Sequence, residues 1–250
     1  MLIKSALVAG LGLLVVLALA AAGSTTEAAK PVHTYRVTLE NRTSGQPLSP
    51  PVAATHRKSI RMFRVGKLAS PGLEAIAEDG DQSMMFARFD GSDKATDAVD
   101  LRLPLTPSGM TATVMGMEVD DSETFDITAH PGDRFSLATM LICTNDGFTG
   151  LNAVKLPKKV GSVVEFMLAG YDAGTEDNTE LSGDIVDPCS GLGPVGLPGD
   201  PDLNDDTLVD TAPPEAIHHH PGIMGVGELD PDTSVHGWTD PVAKVTIERL

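Results

Sequence analysis

From His33 onward the sequence is a succession of short apolar runs, each closed by Gly, Pro, Asp or Asn, and within the runs the side chains alternate in character. Tyr35, Val37 and Leu39 fall on one side of the chain, and Arg36, Thr38 and Glu40 on the other. That is the period of a half-buried strand, not of a helix. Further strand-like runs cover residues 112–119, 124–129, 134–144, 162–169 and 242–250. Phe135, Leu137, Thr139, Leu141 and Cys143 alternate with Ser136, Ala138, Met140 and Ile142, so the third of these runs has little polarity on either face and belongs in the middle of a sheet. With 25 Gly and 18 Pro in 250 residues, the chain suits short strands and long loops. The pattern predicts an all-β fold, an antiparallel β-sandwich, over residues 33–250.

One helix is expected. Ser70 is placed as an N-cap, Pro71 at the first helical position, Leu73, Ile76 and Ala77 on one face, and Gly80 as the stop. Residues 41–51 read as a connecting loop, and residues 182–227 as a long Gly, Pro and Asp-rich stretch without periodicity.

The N-terminus carries an address. Lys4 precedes an apolar stretch from Ala6 to Ala22 that exits through Ala20, Ala21 and Ala22, the pattern of a secretory signal peptide over residues 1–22. Cleavage there leaves a small polar linker at 23–32; the alternative is an uncleaved N-terminal anchor. After cleavage no membrane span remains, and the expected location is secreted or periplasmic. In such a compartment Cys143 and Cys189, the only two cysteines, can pair, but sequence leaves open whether they meet or whether Cys143 is a small buried hydrophobe.

Charge narrows the partners. Lys and Arg number 18 against 35 Asp and Glu, a formal charge of −17, and the longest basic run is Lys158-Lys159. Nucleic acid is excluded as a partner, because phosphate backbones reward clustered cations. An acidic surface favours cations instead.

Two segments carry that acidity to the ends of predicted strands, Asn145-Asp-Gly-Phe-Thr-Gly150 and Gly170-Tyr-Asp-Ala-Gly-Thr-Glu176. If the two loops lie at one end of the sandwich, Asp146, Asp172 and Glu176 converge, with Asn145 and backbone carbonyls as further oxygens. Converging carboxylates repel unless a hard cation lies between them, and an all-oxygen set at a loop cluster suits Ca²⁺. The competing reading is two solvated acidic turns.

The same segments resemble the spondin domain, the N-terminal region shared by F-spondin and mindin and found in single-domain exported bacterial proteins. Tyr35-Arg-Val-Thr-Leu-Glu-Asn41, the Pro-Pro-Val-Ala-Ala-Thr-His stretch at 50–56 and Leu73-Glu-Ala-Ile-Ala-Glu-Asp-Gly80 add to the likeness, which runs from about residue 34 onward. The resemblance implies a β-sandwich similar to C2 domains and one bound calcium, held here by Asp146, Asp172 and Glu176. It also implies an extracellular or envelope ligand, as in matrix adhesion and microbial recognition. Two positions depart from the animal pattern: Gly147 stands where Trp is usual, and Glu176 replaces Asp.

Other constellations carry less. His218, His219 and His220 are adjacent, with His236 beyond, but neighbouring side chains rarely point at one ion. Asp200, Asp202, Asn204 and Asp206 begin like an EF-hand loop, yet Asp205 and Thr211 stand where Gly and Glu are needed. Asn41-Arg-Thr43 fits a glycosylation acceptor. No Gly-x-Ser-x-Gly, His-Glu-x-x-His or phosphate-cradling glycine loop occurs. The expected function is therefore a non-enzymatic, calcium-binding extracellular module. The alternatives are a metal-dependent hydrolase, using Asp146 or Asp172 with His130 or His220, or a plain structural domain of the envelope.

Overall fold

The computed structural model describes residues 30–186, 189–192 and 210–250. The signal peptide, most of the linker and the Asp200–Asp206 stretch lie outside the described residues. Residues Pro31–Leu250 form one compact unit.

Two antiparallel sheets face each other. The first has the order β6 (Ser122–Ala129), β1 (His33–Asn41), β12 (Ala243–Arg249), β9 (Val163–Leu168). The second runs β11 (His218–His219), β10 (Gly170–Asp172), β8 (Gly147–Lys155), β7 (Arg134–Met140), β2 (Val52–His56), β3 (Ala95–Asp100). Tyr35, Val37 and Leu39 of β1 point inward with Ile127, Val245 and Ile247, and meet Phe135, Leu137 and Leu151 of the second sheet. Each strand contributes every second residue to this layer, as the alternation predicts. The all-β sandwich is thus the observed architecture, with the first and last strands paired from Tyr35↔Arg249 to Asn41↔Ala243.

The long apolar run at 134–144 does lie centrally, as β7 between β8 and β2. Its outer face is buried because helices cover it. Helix α1 (Pro71–Asp79) and helix α2 (Ser83–Asp90) lay Leu73, Ile76, Ala77, Met85 and Phe89 against Val52, Ala54, Ala138 and Phe148. Helix α2 corrects the expectation of a single helix. Its eight residues bury Met85 and Phe89, one turn apart, and the apolar face is too short to stand out as a period. In α1 the boundaries hold, with Gly80 at φ 65° ending the helix and its N–H on Ile76 O. The Ser70 hydroxyl, however, makes no capping hydrogen bond.

Residues 112–119 are not one strand but a tight hairpin, β4 (Ala112–Val114) and β5 (Met117–Val119). Met115 at φ 50° and Gly116 at φ 79° make the turn, and two successive positive φ values suit the twist of a two-residue hairpin loop. Strands β2, β3, β8 and β10 were not legible. β2 is buried at every position, so Val-Ala-Ala-Thr-His has no polar face to reveal it.

A third apolar cluster holds the segment beyond β10. Met140, Ile142, Ile185, Val186, Leu192, Ile223 and Leu229 pack around a disulfide between Cys143 and Cys189, the latter opening the short helix α3 (Cys189–Leu192). The two cysteines do pair. Among the described residues no helix is long and apolar enough to cross a membrane.

Candidate metal centre

Beyond Met140 the chain turns sharply and re-enters the sheet as β8 at Gly147. Thr144 organises the turn: its hydroxyl donates to Leu141 O at 2.6 Å and accepts from the Gly147 N–H at 2.9 Å. A Cβ on Gly147 would lie 2.4 Å from that hydroxyl, so the glycine is required by the turn itself. Gly147→Trp is expected to lower stability by about 2 kcal/mol or more, since overpacking forces backbone shifts. Urea unfolding of the variant reads this directly.

The turn sets Asp146 against the second acidic segment. β10 pairs with β8 so that Asp172 stands opposite Gly147, and Ala173 N–H donates to Asp146 O at 3.2 Å. The chain leaves the first sheet at Leu168 and joins the second at Gly170, which brings the two predicted loops to one end of the sandwich. Asp146 is fully buried; its Oδ2 accepts from the Thr175 N–H at 2.8 Å and the Glu176 N–H at 3.2 Å. Its Oδ1, equally buried, has no hydrogen-bond partner. Asp172 Oδ1 accepts from the Gly174 N–H at 2.8 Å, and Oδ2 from Asn178 Nδ2 at 2.7 Å. Gly174 turns at φ 72° with its α-carbon against Glu215 O, where a Cβ would come within 2.6 Å.

The electrostatics are unfavourable for three ionised groups. Burial, then the Asp172 carboxylate, push Asp146 up to about 6. Burial, with Glu78, Asp146, Asp210 and Asp79 nearby, pushes Glu176 up to about 9. Burial also raises Glu78 to about 7, with a hydrogen bond from Thr175 pulling the other way. The acidic centre is therefore larger than the sequence reading, with Glu78 and Asp79 from the end of α1 and Asp210, which bridges to Glu176, added to the three. A clue existed for the first two: they sit at the C-terminal end of a helix with no basic residue in its last turn, where carboxylates oppose the helix dipole.

Asp172 and Glu176 line a small cavity of about 140 Å³ with Asp177, Asn178, Glu215 and His218, and Asp146 lies outside its lining. Among the described residues, the one trio of His, Cys, Asp or Glu ligand atoms within 4.8 Å of one another is Cys143, Cys189 and His236, and both sulfurs are spent in the disulfide. The three carboxylates thus share a neighbourhood without a closed ligand shell. The donor set suits a hard cation, all oxygen and with a buried carboxylate atom left over, and side-chain rotation is needed to bring the oxygens onto one ion. Asn145 is not a spare oxygen donor: its Oδ1 accepts from the Glu180 N–H and its Nδ2 donates to Asp184 O, tying residues 179–184 to the turn.

The histidines do not converge. His218 Nε2 lies 3.7 Å from Asp172, His219 pairs with Asp240, and His220 is buried against Trp238 with its Nδ1 accepting from the Gly222 N–H. Burial pushes His220 down to about 4. His130 lies at the opposite end of the sheet, just before Arg134.

Residues 40–184 match the sequence model of the spondin N-terminal domain, Spondin_N. This chain belongs to the spondin N-terminal domain family. The match spans the strands and helices from the end of β1 through β10, and includes Glu78, Asp146, Asp172 and Glu176. A search of curated proteins finds no match. Membership makes this spondin N-terminal domain a module of an extracellular type. His218–His220, Asp210 and the closing strand β12 fall beyond the matched segment.

Proposed function

We propose that the protein is an exported, non-enzymatic binding module whose acidic end takes one Ca²⁺ through Asp146, Asp172 and Glu176. The observation that supports it most is Asp146 Oδ1, buried and without a hydrogen-bond partner among other carboxyls. A divalent cation favours the ionised form of every group around it, and so offsets the burial and the repulsion that raise Asp146 and Glu176. Calcium bound there fastens the loop after β10 to the turn before β8 and fixes the end of the sandwich that meets a partner. Export through the residue 1–22 signal places the module outside the cytoplasm, in an oxidising compartment that suits the Cys143–Cys189 bond. Adhesion or recognition of an extracellular or envelope ligand is the role this reading gives it.

The hydrolase reading is weaker. His130 is a sheet's length from the carboxylates, and the His220 imidazole is buried against Trp238. A general base must reach its proton within hydrogen-bond distance.

Thermal unfolding with chelator and with millimolar calcium tests the proposal. At calcium about a hundredfold above Kd, ligand linkage contributes about 2.7 kcal/mol, a midpoint rise of roughly 5–10 °C for a domain of this size. Asp172→Ala is expected to abolish the rise. An unchanged midpoint on adding calcium overturns the site and leaves a plain structural domain.

A further inference from the structure

The opposite end of the sandwich carries a cleft of reversed charge. It has a volume of about 620 Å³ and is built where β1 begins, β6 turns into β7, β8 turns into β9, and β12 ends. Arg134, Lys155, Lys158 and Arg249 line it, four cations in a chain of net charge −17. Strand register brings two of them together, because Arg134 stands opposite Lys155. Among the described residues none of the four forms an ion pair with a carboxylate. The acidic residue of the lining, Asp133, is engaged internally: its Oδ2 accepts from the His130 N–H and the Thr96 hydroxyl.

A second observation points to a ligand. Arg249 Nε is buried and has no hydrogen-bond partner, although a buried guanidinium donor normally finds an acceptor. Arg249 is the last residue of β12, where its strand neighbour is Tyr35, a buried phenol that also lines the cleft. Leu156 and Pro157 give the cleft apolar wall, and a volume of this size suits a small organic molecule better than a single inorganic ion.

We propose that this cleft is a binding site for a small polyvalent organic anion, whose charged groups pair with Arg249, Arg134, Lys155 and Lys158 while its carbon skeleton lies on Leu156 and Pro157. Two or more negative charges match four cations, and the planar guanidinium forks of Arg134 and Arg249 suit carboxylate and phosphate oxygens equally. The site is independent of the acidic end, which lies at the other extremity of β7 and β8.

Isothermal titration calorimetry of the full chain at constant ionic strength tests it, with citrate as the carboxylate probe and fructose 1,6-bisphosphate as the phosphate-ester probe. One saturable site for either probe is expected, and which of them saturates identifies the chemistry. The exposed pair Lys155→Gln with Lys158→Gln, and separately Arg249→Gln, should each weaken binding about tenfold or more, the loss expected for a charge-assisted contact. Lys67→Gln, an exposed lysine outside the cleft, should leave it unchanged. The exposed lysine pair keeps the test valid if Arg249→Gln fails to fold. Absence of saturable binding for both probes, or equal binding by the lysine variant and the parent, overturns the proposal.

Discussion

Replacing Cys143 and Cys189 together with alanine is expected to lower the unfolding free energy by about 4 kcal/mol. The bond closes a loop of 46 residues, and loop-closure entropy in the unfolded chain gives about that figure for a loop of such length. The folded state has little with which to offset the loss. Residues 173–186 are tied to the sheet through the Asn145 amide and through the third apolar cluster, in which Ile185, Val186 and Leu192 meet Met140 and Ile142 around the sulfurs. Without the bond, that cluster and the Asn145 hydrogen bonds must hold the segment. The effect should extend to the acidic centre, because Cys143 lies three residues before Asp146. Equilibrium unfolding in urea measures the difference, and a loss below about 1 kcal/mol would mean that the packing, not the crosslink, holds the segment.

The second large effect is a dependence on pH with the opposite sign to ordinary acid denaturation. Asp146, Glu78 and Glu176 have folded values raised from 3.8, 4.5 and 4.5 to about 6, 7 and 9. For an acid so raised, the folded state binds more protons than the unfolded one, so its contribution is complete below the ordinary value and disappears as pH climbs through the folded one. His220 acts in the other direction. Its folded value is lowered from 6.5 to about 4, so its contribution is lost as pH falls below 6.5, and it offsets part of the carboxyl effect there. Above pH 6.5 the carboxyls act unopposed by it. In chelator, stability is therefore expected to drop by about 2 kcal/mol between pH 6.5 and 8.5, carried mainly by Glu176. With saturating calcium the drop should shrink to the part carried by Glu78, because an ion held by Asp146, Asp172 and Glu176 keeps Asp146 and Glu176 ionised at both pH values. Urea midpoints at the two pH values, with and without the ion, separate these outcomes; a flat profile in chelator would show that the acidic centre does not store protons.

Much of this centre was readable in one dimension, though not its extent. Asp146, Asp172 and Glu176 stood out because each follows an apolar run, and turns after strands collect at the ends of sheets. Glu78, Asp79 and Asp210 come from a helix end and a distant loop, so no local pattern linked them to the others. Asn145 misled for a related reason. Its amide was free to be a ligand in sequence, and only the position of residues 179–184 assigned its hydrogen bonds.

The sequence by itself determined the all-β class, the inward face of β1, the limits of α1, the central place of β7 and the excess of acid at two turns. These follow from neighbours one to four residues apart, where periodicity, proline and glycine act through local sterics. The tertiary structure decided which sheet each strand joined, the burial of both faces of β2, the existence of α2, the Cys143–Cys189 pairing, and the cationic cleft drawn from residues 33 to 249. Those depend on pairings between residues far apart in the chain. Their free energy comes from burial and hydrogen bonding that exist only once the sheets have closed on each other, and no local stretch of sequence records it.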